Sequence, residues 1–117
     1  IKPRWAGAID TVGGNTLATL IKACGRNGNV AACGLVVSPN LETTVYPFIL
    51  NGVNMLGVES AETLRPTRLK IWELLAGRLK PPLLTEMQCL VPPEDIPTYM
   101  DDILEGETSG RVVADFT

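Results

Sequence analysis

The chain has 117 residues, 45% hydrophobic and 20% charged, with a formal net charge of -3. That is the composition of one globular domain or part of one, with apolar residues enough for a single modest core. It carries no basic run for nucleic acid, and no apolar stretch approaches the roughly 20 residues of a membrane span.

The first residue is Ile1, and residues 1–4 lack the apolar centre of a signal peptide. The expectation is a processed start or a start inside a longer chain. Cys24, Cys33 and Cys89 are odd in number and have no C-x-x-C spacing. They read as reduced thiols of a cytoplasmic protein. Histidine is absent. That removes Ser-His-Asp and Cys-His catalysis and the usual zinc constellations, so no metal is expected.

In chain order, Trp5 to Asp10 reads as a first strand. Thr11-Val12-Gly13-Gly14 is its exit, and Asn15 or Thr16 is placed to cap the helix that follows. Leu17, Leu20, Ile21 and Cys24 recur at helical spacing as its buried stripe. Gly25 ends that helix, and residues 26–28 turn into a central strand over 30–33. Small residues there (Ala31, Ala32, Cys33) suit a strand covered on both faces. Gly34 breaks it. A connection over 35–44 turns at Ser38-Pro39-Asn40. Residues 46–50 predict a short helix with Pro47 in its first turn. A third strand spans 53–58. The order β-α-β-α-β predicts three parallel strands with the 29–35 stretch in the middle.

Pro66 opens an amphipathic helix over 66–79 whose face is Leu69, Trp72, Leu75, Ala76 and Leu79, a core stripe. Lys80-Pro81-Pro82 stops it and marks a candidate boundary. Residues 83–90 alternate weakly as a strand. Residues 97–105 predict a helix with Tyr99, Met100, Ile103 and Leu104 inward. Residues 110–116 read as a last strand.

Trp5-Ala-Gly-Ala-Ile-Asp-Thr-Val-Gly-Gly, Ala32-Cys-Gly-Leu, Thr43-Thr-Val-Tyr-Pro-Phe-Ile-Leu and Leu56-Gly-Val-Glu-Ser occur in this order. Together they resemble the medium-chain dehydrogenase/reductase superfamily. The resemblance is to its zinc-free quinone-oxidoreductase branch, in particular the NADPH-dependent acryloyl-CoA reductases, and it runs from about Trp5 to Val113. It implies a C-terminal fragment that lacks the family's catalytic domain and the glycine-rich phosphate loop. No G-x-G-x-x-G sequence occurs in this chain.

In open parallel sheets, ligands bind outside the carboxyl ends of the strands. By resemblance, Val12 and Gly13 lie under the cofactor, and Cys33, Gly34 and Leu35 meet its nicotinamide end. Val58, Glu59 and Ser60 stand at the third strand's exit, with Glu59-Ser60 where the family usually has Asp-Ser. Each has a plainer reading. Gly13 and Gly14 serve any tight turn, and Glu59 serves as a solvated loop residue. Cys33 reads as a small packed hydrophobe that a leucine would overpack. Arg111 reads as a phosphate partner or, more simply, as a surface arginine. No side chain is expected to be catalytic, because in hydride transfer the cofactor carries the chemistry.

The expected fold is α/β, the second half of a Rossmann fold with a small C-terminal helix/strand segment. Residues 1–80 form a partial dinucleotide-binding domain, and 81–117 return to the catalytic domain. The implied function is part of an NADPH-dependent reduction of an activated C=C bond or a quinone, inactive alone and holding no cofactor tightly alone. A free-standing assembly module that keeps the fold without catalysis is the alternative, and a small nucleotide-binding module is a weaker one. The expected partner is a second copy, paired through the edge strand over 53–58 or the bared edge of the first strand.

Overall fold

A computed structural model gives the fold and describes residues 2–117. The chain packs as two units, one ending at Thr63 and the other spanning Leu64–Thr117.

The first unit is a three-stranded parallel sheet in the order β1 (Trp5–Asp10), β2 (Cys24–Ala32), β3 (Asn54–Gly57). The middle strand is the expected one. Its regular ladder is short: Asn29 to Ala32 face Gly7 to Asp10 on one side and Asn54 to Gly57 on the other. Cys24 also pairs with Trp5, and the register shifts before Gly7 pairs with Asn29. The predicted turn over 26–28 is therefore an irregular part of β2, with Asn27 at φ 57°. Asn tolerates that left-handed conformation better than most residues.

Helix α1 (Gly14–Ala23) crosses from β1 to β2. Leu17, Ala18 and Ile21 are buried on it, and Leu20 is half-buried. Leu17, Ile21, Cys24, Val30 and Val53 form the core, with Ala8, Leu41 and Phe48 packed against it. Neither Asn15 nor Thr16 caps the helix. The N-cap is Gly13, with no side-chain cap bond. The turn starts earlier than expected because the Asp10 carboxylate already holds the Gly13 N–H. Helix α2 (Tyr46–Asn51) has Pro47 in its first turn, as predicted, and ends on left-handed Gly52, whose N–H donates to the Phe48 carbonyl at 3.0 Å.

The second unit opens with α3 (Arg65–Ala76). It stops short of residue 79 because Gly77 breaks the helix and its N–H closes onto the Glu73 and Leu74 carbonyls. None of its residues is buried, and Trp72, expected in a core, is 63% exposed. An apolar stripe reveals which face needs cover, not what supplies it. The strand expected over 83–90 is a 3-10 turn at Leu84–Met87 followed by β4 (Gln88–Val91). Turn bonds from Leu84 N–H to Pro81 O and Glu86 N–H to Leu83 O hold the first part out of a sheet.

A second 3-10 turn at Pro93–Asp95 leads into α4 (Ile96–Glu105), and β5 (Arg111–Ala114) returns parallel to β4. Tyr99 is half-buried, but Met100, Ile103 and Leu104, expected inward, are exposed. A sheet of two short strands is too narrow to cover the whole face of such a helix.

Candidate functional site

All three strands of the first sheet run the same way, so their carboxyl ends open on one edge. The loops there are zipped together by main-chain bonds. Cys33 N–H donates to Asp10 O at 2.9 Å, Val36 N–H to Thr11 O at 3.2 Å, and Val37 N–H to Val12 O at 2.9 Å. Val58 N–H donates to Ala32 O at 2.9 Å, which brings the β3 exit alongside. Val12, Gly13, Cys33, Gly34, Leu35 and Val58 are thus gathered at one end of the sheet.

Close backbone approach makes this possible. Gly13 has φ 74°, and a Cβ there would collide with the Ser38 carbonyl. A Cβ on Gly34 would sit 2.5 Å from Thr11 O. Any side chain at either position would push the loops apart.

Asp10 is the residue that sequence reading missed. It is only 2% exposed. Its Oδ2 accepts the Gly13 N–H at 2.8 Å. The signal was available: a carboxylate at a strand end, three residues before a glycine, is the pattern of a side chain folding onto its own turn.

Cys33 departs from expectation. It is exposed, and its Sγ–H donates to the Asp10 carbonyl at 3.3 Å. The close-packed hydrophobe is corrected, because β2 ends one residue earlier and the side chain has left the covered face. The Glu59 side chain turns back on its own loop. Its Oε1 accepts the Glu62 N–H at 2.7 Å, and its carbonyl accepts the Thr63 hydroxyl at 2.6 Å. Ser60 lies exposed beside it. Arg111 is at the start of β5 in the second unit, beside a hollow of about 270 Å³ lined also by Ile103 and Thr108. In that unit the Tyr99 hydroxyl titrates above its usual range, first because of the Cys89 thiol 4.0 Å away and then because of Asp95 and Asp102.

The sheet edge suits a flat ligand. Leu35 (62% exposed), Val36, Val37 and Val58 form an open apolar rim. Among the described residues, no hydrogen bond occupies the main-chain N–H groups of Gly34 and Leu35. Apolar cover beside a few fixed donors is what an aromatic ring with a carboxamide requires. The residues present therefore fit a nicotinamide.

No family profile matches the chain. The putative quinone oxidoreductase YhfP of Bacillus subtilis is 41% identical over 113 residues, which is 96% of this chain and 34% of that protein. The acrylyl-CoA reductase AcuI of Ruegeria pomeroyi is 40% identical over 114 residues, covering 95% of this chain and 34% of that one. The chain is a homologue of these oxidoreductases. It spans about a third of the length of the curated relatives it matches.

The crystal structure of YhfP with NAD bound superposes with a TM-score of 0.87 at 38% identity, over 99% of this chain and 36% of that one. The YhdH oxidoreductase of Salmonella enterica in complex with NADP gives 0.86 at 36% identity, over 100% of this chain and 36% of that one. The resemblance to the quinone-oxidoreductase and acryloyl-CoA-reductase branch, expected from about Trp5 to Val113, holds over 95–96% of the chain. The fold matches the C-terminal, NADP-binding Rossmann half of medium-chain oxidoreductases. No helix among the described residues is long and apolar enough to cross a membrane.

Proposed function

We propose that this chain supplies the nicotinamide floor of an NADPH-dependent oxidoreductase that reduces an activated C=C bond or a quinone. The observation that supports this best is the zipped sheet edge, with its apolar rim and the free donors of Gly34 and Leu35. The cofactor, when bound, supplies the hydride. The protein orients and shields it. Val12 and Gly13 support one side, Gly34 and Leu35 offer N–H groups to the carboxamide, and Val58 helps exclude water. Glu59 and Ser60 contribute through the main chain, since the Glu59 carboxylate is engaged within its own loop. Residues 1–80 belong on this reading to the dinucleotide-binding domain, and 81–117 return toward a catalytic domain.

The chain carries no glycine-rich loop to hold a pyrophosphate. Each missing charge-assisted phosphate bond removes one or more factors of ten in affinity. Titration calorimetry with NADPH should therefore give a Kd of about 1 mM or weaker and no turnover by the chain alone. A complete absence of binding at about 10 mM would count against the site, and a Kd of about 1 µM would count against the role of the phosphate loop.

The reading extends to a partner of the same kind. β1 and β3 are both edge strands, and Trp5, Ile9, Met55 and Leu56 on them are exposed. Unprotected edges template pairing. A homodimer through the β3 edge is expected by light scattering behind a sizing column. Met55→Pro, which removes an edge N–H, should dissociate it, while Ile9→Lys should not. A monomer mass for the unaltered chain at high concentration would dismiss edge pairing.

A further inference from the structure

We propose that Asp10 is a positioning residue that locks the exit loops of β1 and β2 into one rigid floor. The proposal goes beyond the cofactor reading above and rests on it only for the purpose of that floor.

Asp10 is the place where the two loops meet. Its side chain holds Gly13, and its main-chain carbonyl receives both the N–H and the Sγ–H of Cys33. Gly13 in turn sits against Ser38, with which it forms an isolated parallel bridge, and its carbonyl accepts the Leu17 N–H at 3.2 Å. One side chain therefore sets the start of α1 and the path of residues 11–13. The path of 11–13 then sets that of 36–38, because Thr11 and Val12 carbonyls are their acceptors.

The second observation is what the residue costs. Asp10 Oδ1 is buried and has no hydrogen-bond partner among the described residues. A buried carboxylate with one oxygen unpaired is unfavourable, and a residue serving only as a turn former would be better replaced by Ser or Asn at the surface. Burial makes sense when the group must hold its neighbours in one geometry, since a bond shielded from water is broken less often.

Amide hydrogen exchange on the full chain tests this without cofactor. In Asp10→Ala, protection at Gly13, Val36 and Val37 is expected to fall together by at least about tenfold, while Val58, bonded to Ala32, changes less than about twofold. Asp10→Asn, whose amide oxygen still accepts from Gly13, is expected to restore most of that protection. Loss confined to Gly13 would reduce Asp10 to a local turn former and overturn the proposal. So would failure of Asp10→Asn to restore protection. Should Asp10→Ala not fold, the unaltered chain decides: Gly13, Val36 and Val37 must open with one common equilibrium, and unrelated openings would overturn the coupling. None of these readouts involves NADPH, so they fail or succeed independently of the cofactor site.

Discussion

Gly13→Val is expected to lower stability by about 3 kcal/mol. Two effects act at one position. The backbone stands at φ 74°, where a β-branched residue is strained, and the new Cβ would meet the Ser38 carbonyl. The loop cannot yield alone, because Gly13 is tied to Asp10 on one side and opens α1 on the other. The first unit contains Trp5 and the second Trp72. Urea unfolding followed by Trp5 fluorescence in a Trp72→Phe background therefore reads the first unit alone. A midpoint unchanged by Gly13→Val would mean that the contact with Ser38 is not a fixed feature of the fold.

Ile21→Ala should cost a similar amount, about 3 kcal/mol, for a different reason. Ile21 is fully buried, at 0% exposure, between α1 and the sheet. Truncation removes its transfer energy and leaves a cavity that neighbours such as Leu17 and Val30 cannot fill without moving. A domain of this size has roughly 5–15 kcal/mol in total, and the first unit is only part of the chain. The same fluorescence assay should show a large downward shift in midpoint. A loss below about 1 kcal/mol would show that the core is loosely packed and that α1 is not fixed by it.

The two substitutions mark what the sequence makes legible. The β1-α1-β2-α2-β3 order, the middle position of β2 and the stripe Leu17–Ile21 follow from period and punctuation, because short apolar runs bounded by glycines mark strands and a three-to-four spacing marks a helix face. The expected cover on both faces of β2 is not seen: Val30 is buried, but Asn29 is exposed and Ala31 and Ala32 are only half-buried. The second unit was less readable. Trp72, Met100, Ile103 and Leu104 carry the helical spacing of core residues, yet spacing cannot tell whether a partner is present to cover them. The same limit applied at the site. The glycines and the apolar rim could be read from residue type. The tie from Asp10 to Gly13 could not be read from periodicity, since it depends on where a single side chain turns. Cys33 lies one residue past the end of β2, where the alternation of a strand no longer fixes the direction of a side chain.

On the proposed function, Val12, Gly13, Gly34, Leu35, Val58, Glu59 and Ser60 together form one ligand-facing floor. The most direct measurement is the amide spectrum of the uniformly nitrogen-15-labelled chain during NADPH addition to about 10 mM, a range set by the weak affinity expected without a phosphate loop. Progressive shifts are expected at those seven amides with one common Kd, and little change along α4 or around Arg111. Shifts confined to Arg111 and its neighbours, with the seven strand-end amides unmoved, would contradict it.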